Sequence, residues 1–190
     1  GEESVLSSVI GENEKLLIAA NGAYGERMEE IAKHNRIPYV IYNEHYNQVP
    51  SAEKIKKMLE EDPDITHVSM VHSETTSGIL NDIQAVAQVV KGAGKTFIVD
   101  AMSSFGGVDI DVPGMGIDFL ISSANKCIQG VPGFSFIICK RDKLSKEKAL
   151  QRLNSQPNDE FFTKNCNTVI NNENKEETIK MVNEIMLKLQ

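Results

Sequence analysis

The sequence contains no apolar stretch that approaches membrane-spanning length. Its first residues, GEESVLSSVIGENEK, lack the basic start and apolar core of a signal peptide. It has no basic excess either: 20 Lys and Arg stand against 27 Asp and Glu, a net charge of −7, with a pI near 5.2. Nucleic-acid binders present a basic face, so the charge balance argues against that class of partner. Cysteine is scarce and odd in number. Cys127, Cys139 and Cys166 show no metal-type spacing, which points to a reducing compartment rather than a disulfide framework. Internal repeats and low-complexity tracts are absent. These absences predict a soluble, cytoplasmic protein with no membrane and no nucleic acid among its partners.

What is present is enough apolar residue for a real core, 41% of 190 residues, and length predicts one domain with an appendage. Apolar runs alternate with helical patterns. LLIAA (Leu16–Ala20), YVIY (Tyr39–Tyr42), ITHVSMV (Ile65–Val71), TFIVD, IDFLIS and FSFIIC read as strands. Between them, helices are expected from Gly22 to His34, from the Ser51 cap to about Asp62-Pro63, and from Asn81 to Ala93. Continuous apolar strands separated by helices indicate a parallel sheet covered on both faces. IDFLIS and FSFIIC are too close for a crossover helix, so FSFIIC is expected to return antiparallel. From Asp142 the chain turns polar, with a short helix through Leu150 and an amphipathic helix over Lys175–Leu189, capped by Asn174.

In open α/β sheets ligands bind beyond the carboxyl ends of the strands. Tyr24, Thr75, Asp100 and Lys126 each fall just after an apolar run, so their loops are expected to converge on one pocket. An amine and a carboxylate delivered this way suit a pyridoxal phosphate enzyme: the amine bonds the cofactor's aldehyde, and the carboxylate keeps the pyridine nitrogen protonated. Each residue also has a plainer reading. Asp100 could cap a turn, Lys126 could be solvated, Tyr24 could be a half-buried aromatic, and Thr75 and Thr76 could cap a turn leading to Gly78. The small and polar setting of Lys126 suits burial against a ligand, which would favour its neutral amine. His72 reads as structural, with a place in the pocket as the second reading. Cys127 reads as a packed thiol, and His34, His45 and His67 as residues of surface elements that suggest no metal site.

Four segments carry a resemblance: NGAYGER (Asn21–Arg27), VHSETTSGILN (Val71–Asn81), IVDAMSSFGG (Ile98–Gly107) and ISSANKCIQGVPGFSF (Ile121–Phe136). In order and spacing they resemble the large domain of the fold-type I, class V aminotransferases, from about residue 3 to 141. The wording is most similar to the branch that moves an amino group from 2-aminoethylphosphonate to pyruvate. The alanine–glyoxylate and serine–pyruvate branches share the framework.

The resemblance implies pyridoxal 5'-phosphate as cofactor, with Lys126 as the catalytic lysine bonded to it and Asp100 as partner of the ring nitrogen. It implies Tyr24 stacked on the ring, Thr75 near its phenolic oxygen and Asn125 helping to hold the phosphate. Its partners would be a small-molecule amino donor and a 2-oxo acid, and the full fold would form a homodimer. The family's phosphate-binding turn precedes the point matching Gly1. Its substrate-holding arginine lies in a small domain, and none of Arg27, Arg36, Arg141 or Arg152 matches it. The expected organisation is therefore an N-terminally truncated cofactor-binding large domain over 1–141, then a linker and a remnant of the small domain over 142–190. A catalytically incomplete fragment, acting at most as a binding or interaction domain, is the alternative expectation.

Overall fold

The computed structural model describes residues 1–143. The helices expected through Leu150 and over Lys175–Leu189 lie outside the described residues. Helix α1 (Glu2–Val9) leads into strand β1 (Lys15–Ala20), helix α2 (Ala23–His34), strand β2 (Tyr39–Asn43) and helix α3 (Ala52–Glu61). Then come β3 (Ile65–Val71), a two-stranded hairpin of β4 (Ser73–Glu74) and β5 (Ile79–Leu80), and α4 (Ile83–Gly92). Strand β6 (Thr96–Asp100), the single turn α5 (Val112–Met115), β7 (Phe119–Ser123) and β8 (Ser135–Cys139) complete the order. The hairpin and α5 were not foreshadowed by periodicity, since both are too short to show one.

Local chemistry explains the helix boundaries. Ser51 Oγ accepts from Lys54 N–H at the start of α3, and Asp82 accepts from Ala85 N–H at the start of α4, each satisfying an orphan donor. After α4, Gly94 takes a left-handed conformation at φ +70°, which a glycine adopts without steric cost.

The main sheet has the order β2-β1-β3-β6-β7-β8. All its pairs are parallel except β7–β8, which is antiparallel, as the short connection requires. Side chains of β1 alternate between two cores. Leu17 and Ala19 pack with Ile55 and Leu59 of α3 and with Val86 and Val90 of α4. Leu16, Ile18 and Ala20 pack with Val5 and Leu6 of α1 and with Met28 and Ala32 of α2. Helices therefore cover both faces, and each fully buried Leu or Ile contributes about 1.5–3 kcal/mol.

This sandwich corrects one expectation. His67 is not on the surface: it lies within β3 and is 4% exposed, because β3 is an interior strand covered on both faces. Burial lowers its pKa, and Nδ1 lies 2.8 Å from Thr66 Oγ1. At the amino ends of β6 and β7, buried Asp118 accepts from Phe97 N–H at 2.9 Å and Lys91 Nζ at 2.5 Å, with Lys140 Nζ 3.4 Å away. Burial opposes that charge, but these partners outweigh it and lower the pKa of Asp118. The cluster fastens β6, β7 and α4 at the end of the sheet away from the strand carboxyl termini.

Gly25 sets how closely α2 can lie on β1. A Cβ there would meet Ala20 Cβ at 2.6 Å and Ala20 Cα at 2.8 Å. Helix propensity favours alanine over glycine by about 1 kcal/mol, whereas overpacking costs about 1–3 kcal/mol. The overlap prevails because one contact is backbone. Gly25→Ala is expected to lower stability by about 1 kcal/mol net, read as an earlier urea unfolding midpoint.

Candidate active site

The cleft forms where the carboxyl ends of four adjacent strands meet. It is lined by Tyr24 after β1, Thr75 after β3, Asp100, Met102 and Ser103 at and after β6, and Lys126 after β7. The structure thus brings Tyr24, Thr75, Asp100 and Lys126 together. Asn125 does not share the cleft lining; it is exposed beside Lys126. Lys126 is itself exposed rather than buried, because the loop after β7 runs outward. A groove between α3 and α4, lined by Leu59, Val89 and Gly92 with Lys56 and Glu60, has apolar walls, and its amine and acid form an exposed ion pair of 4.0 Å along one helix face.

Asp100 is the most enclosed group of the cleft, 2% exposed, and its Oδ1 accepts from Met102 N–H at 2.7 Å. Its pKa is raised, chiefly by burial. Hydrogen bonds from Glu2 and Met102 act against the rise, and the charge of Glu74 adds to it. Thr75 Oγ1 lies 2.9 Å from Ser103 Oγ, so two loops present a hydroxyl pair. Tyr24 is half-buried at the first turn of α2.

That helix start is held from another strand. Glu74, 0% exposed, accepts from Tyr24 N–H at 3.5 Å, Gly25 N–H at 3.3 Å, Thr76 N–H at 3.2 Å and Thr76 Oγ1 at 2.6 Å. Thr76 Oγ1 in turn accepts from Ala23 N–H at 3.2 Å. Three orphan donors of α2 are thereby satisfied by the β4–β5 hairpin. Gly22 permits this approach, since a Cβ there would lie 2.4 Å from Glu74 Cδ. A buried amide pair braces the same region: Asn21 and Asn81 exchange hydrogen bonds of 2.8 and 3.0 Å, and Asn81 also donates to Val71 O.

Sequence reasoning missed Glu74, Ser103 and Glu2. For Glu74 a signal was available, an acid set between hydroxyl residues in SETTSG. His72 is buried, with Nδ1 2.9 Å from Ser104 Oγ, and burial lowers its pKa. Cys127 is not a packed thiol. It is exposed on the outgoing loop, where Sγ donates to Ser103 O at 3.3 Å.

As a donor set, the cleft offers a primary amine, a buried carboxylate, a hydroxyl pair and an aromatic face. A cationic heteroaromatic ring bearing an aldehyde matches these groups one by one, so the ring and aldehyde of pyridoxal phosphate fit the residues present. Among the described residues, no helix is long and apolar enough to cross a membrane.

A family model described as aminotransferase class-V matches residues 3–175. The 2-aminoethylphosphonate–pyruvate transaminase of Lysinibacillus sphaericus is 56% identical over 150 residues, covering 79% of this chain and 41% of that protein. The Bacteroides fragilis enzyme of the same name is 53% identical over the same shares. The chain thus spans about 41% of the length of these relatives. Among solved structures, the pyridoxamine–pyruvate aminotransferase of Mesorhizobium loti matches with a TM-score of 0.71 at 29% identity, covering 83% of this chain and 38% of that one. The ureidoglycine–glyoxylate aminotransferase of Bacillus subtilis matches with a TM-score of 0.72 at 27% identity, covering 81% and 42%.

Proposed function

The chain belongs to the class V aminotransferase family, and we propose that its cleft serves pyridoxal phosphate-dependent amino transfer from 2-aminoethylphosphonate to pyruvate. The products are phosphonoacetaldehyde and alanine. The donor carbon gives up its amino group and one hydrogen and takes on an oxygen, while the acceptor carbon loses its keto oxygen and gains the amino group and a hydrogen, so atoms and electrons balance over the pair of half-reactions. The observation that carries this reading is the meeting of Lys126, Asp100, Tyr24 and Thr75 on one cleft from separate strand ends.

When bound, the cofactor supplies a ring that withdraws electrons from the donor's amino-bearing carbon. The chain's residues do the rest. Lys126 Nζ would bond the cofactor's aldehyde, and the same amine is the base that would take a proton from the donor carbon. Asp100 would accept a hydrogen bond from the ring nitrogen and favour its protonated form. The Thr75–Ser103 hydroxyl pair would serve the ring's phenolic oxygen, Tyr24 would cover a ring face, and Asn125 would help hold the phosphate.

Residues 1–141 act as the cofactor-binding large domain. Val131 and Phe134, exposed by 73% and 62%, offer apolar surface that a second copy would cover in a homodimer. The identity to the aminoethylphosphonate enzymes favours that donor over an alanine–glyoxylate pairing.

Saturating the protein with pyridoxal phosphate should give a visible absorption band, and borohydride reduction should fix the label on the peptide containing Lys126. No band at saturation, or a label on another lysine, removes this reading. Comparing aminoethylphosphonate plus pyruvate with alanine plus glyoxylate then decides the substrate pair.

A further inference from the structure

The first turn of α1 places a second acid against Asp100. Glu2 is 6% exposed, its carboxyl is in hydrogen-bonding contact with Asp100, and its Oε1 has no partner among the described residues. The nearest side-chain cation, Arg27, stands 3.9 Å from Oε2 and is itself 65% exposed, so it neutralises little. Two buried carboxyl groups in contact disfavour being ionised together, and one proton held between them relieves the repulsion.

We propose that Glu2 is a positioning residue for Asp100, taking the shared proton and donating it in a hydrogen bond, so that Asp100 stays ionised for the ring nitrogen. The inference rests on the amino-transfer reading for its purpose, though not for the pair itself. Surroundings decide which acid keeps the proton. Asp100 already accepts from Met102 N–H, a bond that favours its charged form, whereas Oε1 of Glu2 has no donor to offset its burial. The charged groups facing the pair are Arg27 on α2, Glu74 on β4 and the amino group of Gly1. Burial first, then Asp100, pushes the pKa of Glu2 up to about 8, against the opposing pull of Arg27 and the amino terminus.

The sign of the pH effect follows. A group whose folded-state pKa is raised lends stability that is full below its ordinary value, 4.5, and lost as pH rises through about 8. In cofactor-free protein, the folding equilibrium constant of wild type relative to Glu2→Gln should therefore fall across that window, by up to about tenfold per pH unit. Wild type alone should show a protonated-carboxyl infrared band at pH 7 that disappears on titration through about 8. A pH-independent difference in urea unfolding, or no such band, overturns the inference whether or not cofactor binds.

A second arm uses pyridoxal phosphate itself. Glu2→Leu, which removes the donor, should weaken its binding roughly tenfold, the worth of one hydrogen bond to a charged group. Glu2→Gln, which keeps a donor, should stay within about twofold. Equal affinities for the two variants overturn the positioning role. If wild type takes no cofactor at Lys126, the amino-transfer reading and the role of Glu2 toward the ring nitrogen both fall, and the cofactor-free arm alone judges the shared proton.

Discussion

Lys126→Ala is expected to abolish borohydride trapping of pyridoxal phosphate and to lower amino transfer by at least 10²–10⁴-fold, the contribution typical of a positioned proton carrier. Stability should not change with it. Lys126 is exposed, and its amine has no hydrogen bond or ion pair among the described residues, so its removal should cost within about 0.5 kcal/mol. Lys126→Arg separates charge from chemistry. The guanidinium keeps the positive charge but cannot give up a proton near neutrality, so it can neither bond the aldehyde nor carry the proton. Both variants should therefore be untrapped and inactive while unfolding in urea like wild type. A labelled Arg variant, or an Ala variant within tenfold of wild-type turnover, would remove Lys126 from the role.

The placement of Lys126 at a strand end was legible because a buried parallel strand leaves a strong mark, a short run of apolar residues with no alternation. That mark gave β1, β3, β6 and β7, and with them the loops that bear Tyr24, Thr75, Asp100 and Lys126. The antiparallel β8 was legible for a different reason, a connection too short for a helix. Burial of polar side chains was not legible. His67 and Cys127 were misplaced in opposite directions: one sits in a strand covered on both faces, the other on a loop leading outward. Glu2 and Glu74 look like solvated acids in the sequence, since nothing in a linear pattern shows that α1 or the β4–β5 hairpin turns a carboxylate inward. Short motifs also hide long-range partners. Asn21 and Asn81 open and close two of the matching segments, and only the fold shows that they bond to each other.

Glu74 marks the largest expected loss of stability. Glu74→Ala removes an acceptor from two backbone donors at the start of α2, Tyr24 N–H and Gly25 N–H, and from Thr76 N–H and its hydroxyl. The lost cap costs about 0.5–2 kcal/mol, and each buried donor left unpaired about 1–3 kcal/mol. The favourable field of the helix N-terminus on a carboxylate goes too. A total near 3–5 kcal/mol is expected, discounted because these terms overlap. Tyr24 should lose its fixed position with the helix start, so cofactor affinity should fall in Glu74→Ala by more than the unfolding change predicts. Glu74→Gln divides the effects. It keeps the volume and one acceptor oxygen, so stability should fall by about half as much. It also removes the negative charge that raises the pKa of Asp100, which eases ionisation of Asp100. Glu74→Ala removes that charge as well, so in both variants cofactor binding should persist to lower pH than in wild type, and Glu74→Gln should bind more tightly than Glu74→Ala because it keeps an acceptor at the helix start. Equal stability of wild type and Glu74→Ala in urea would show that the hairpin, rather than its carboxylate, holds Tyr24 in place.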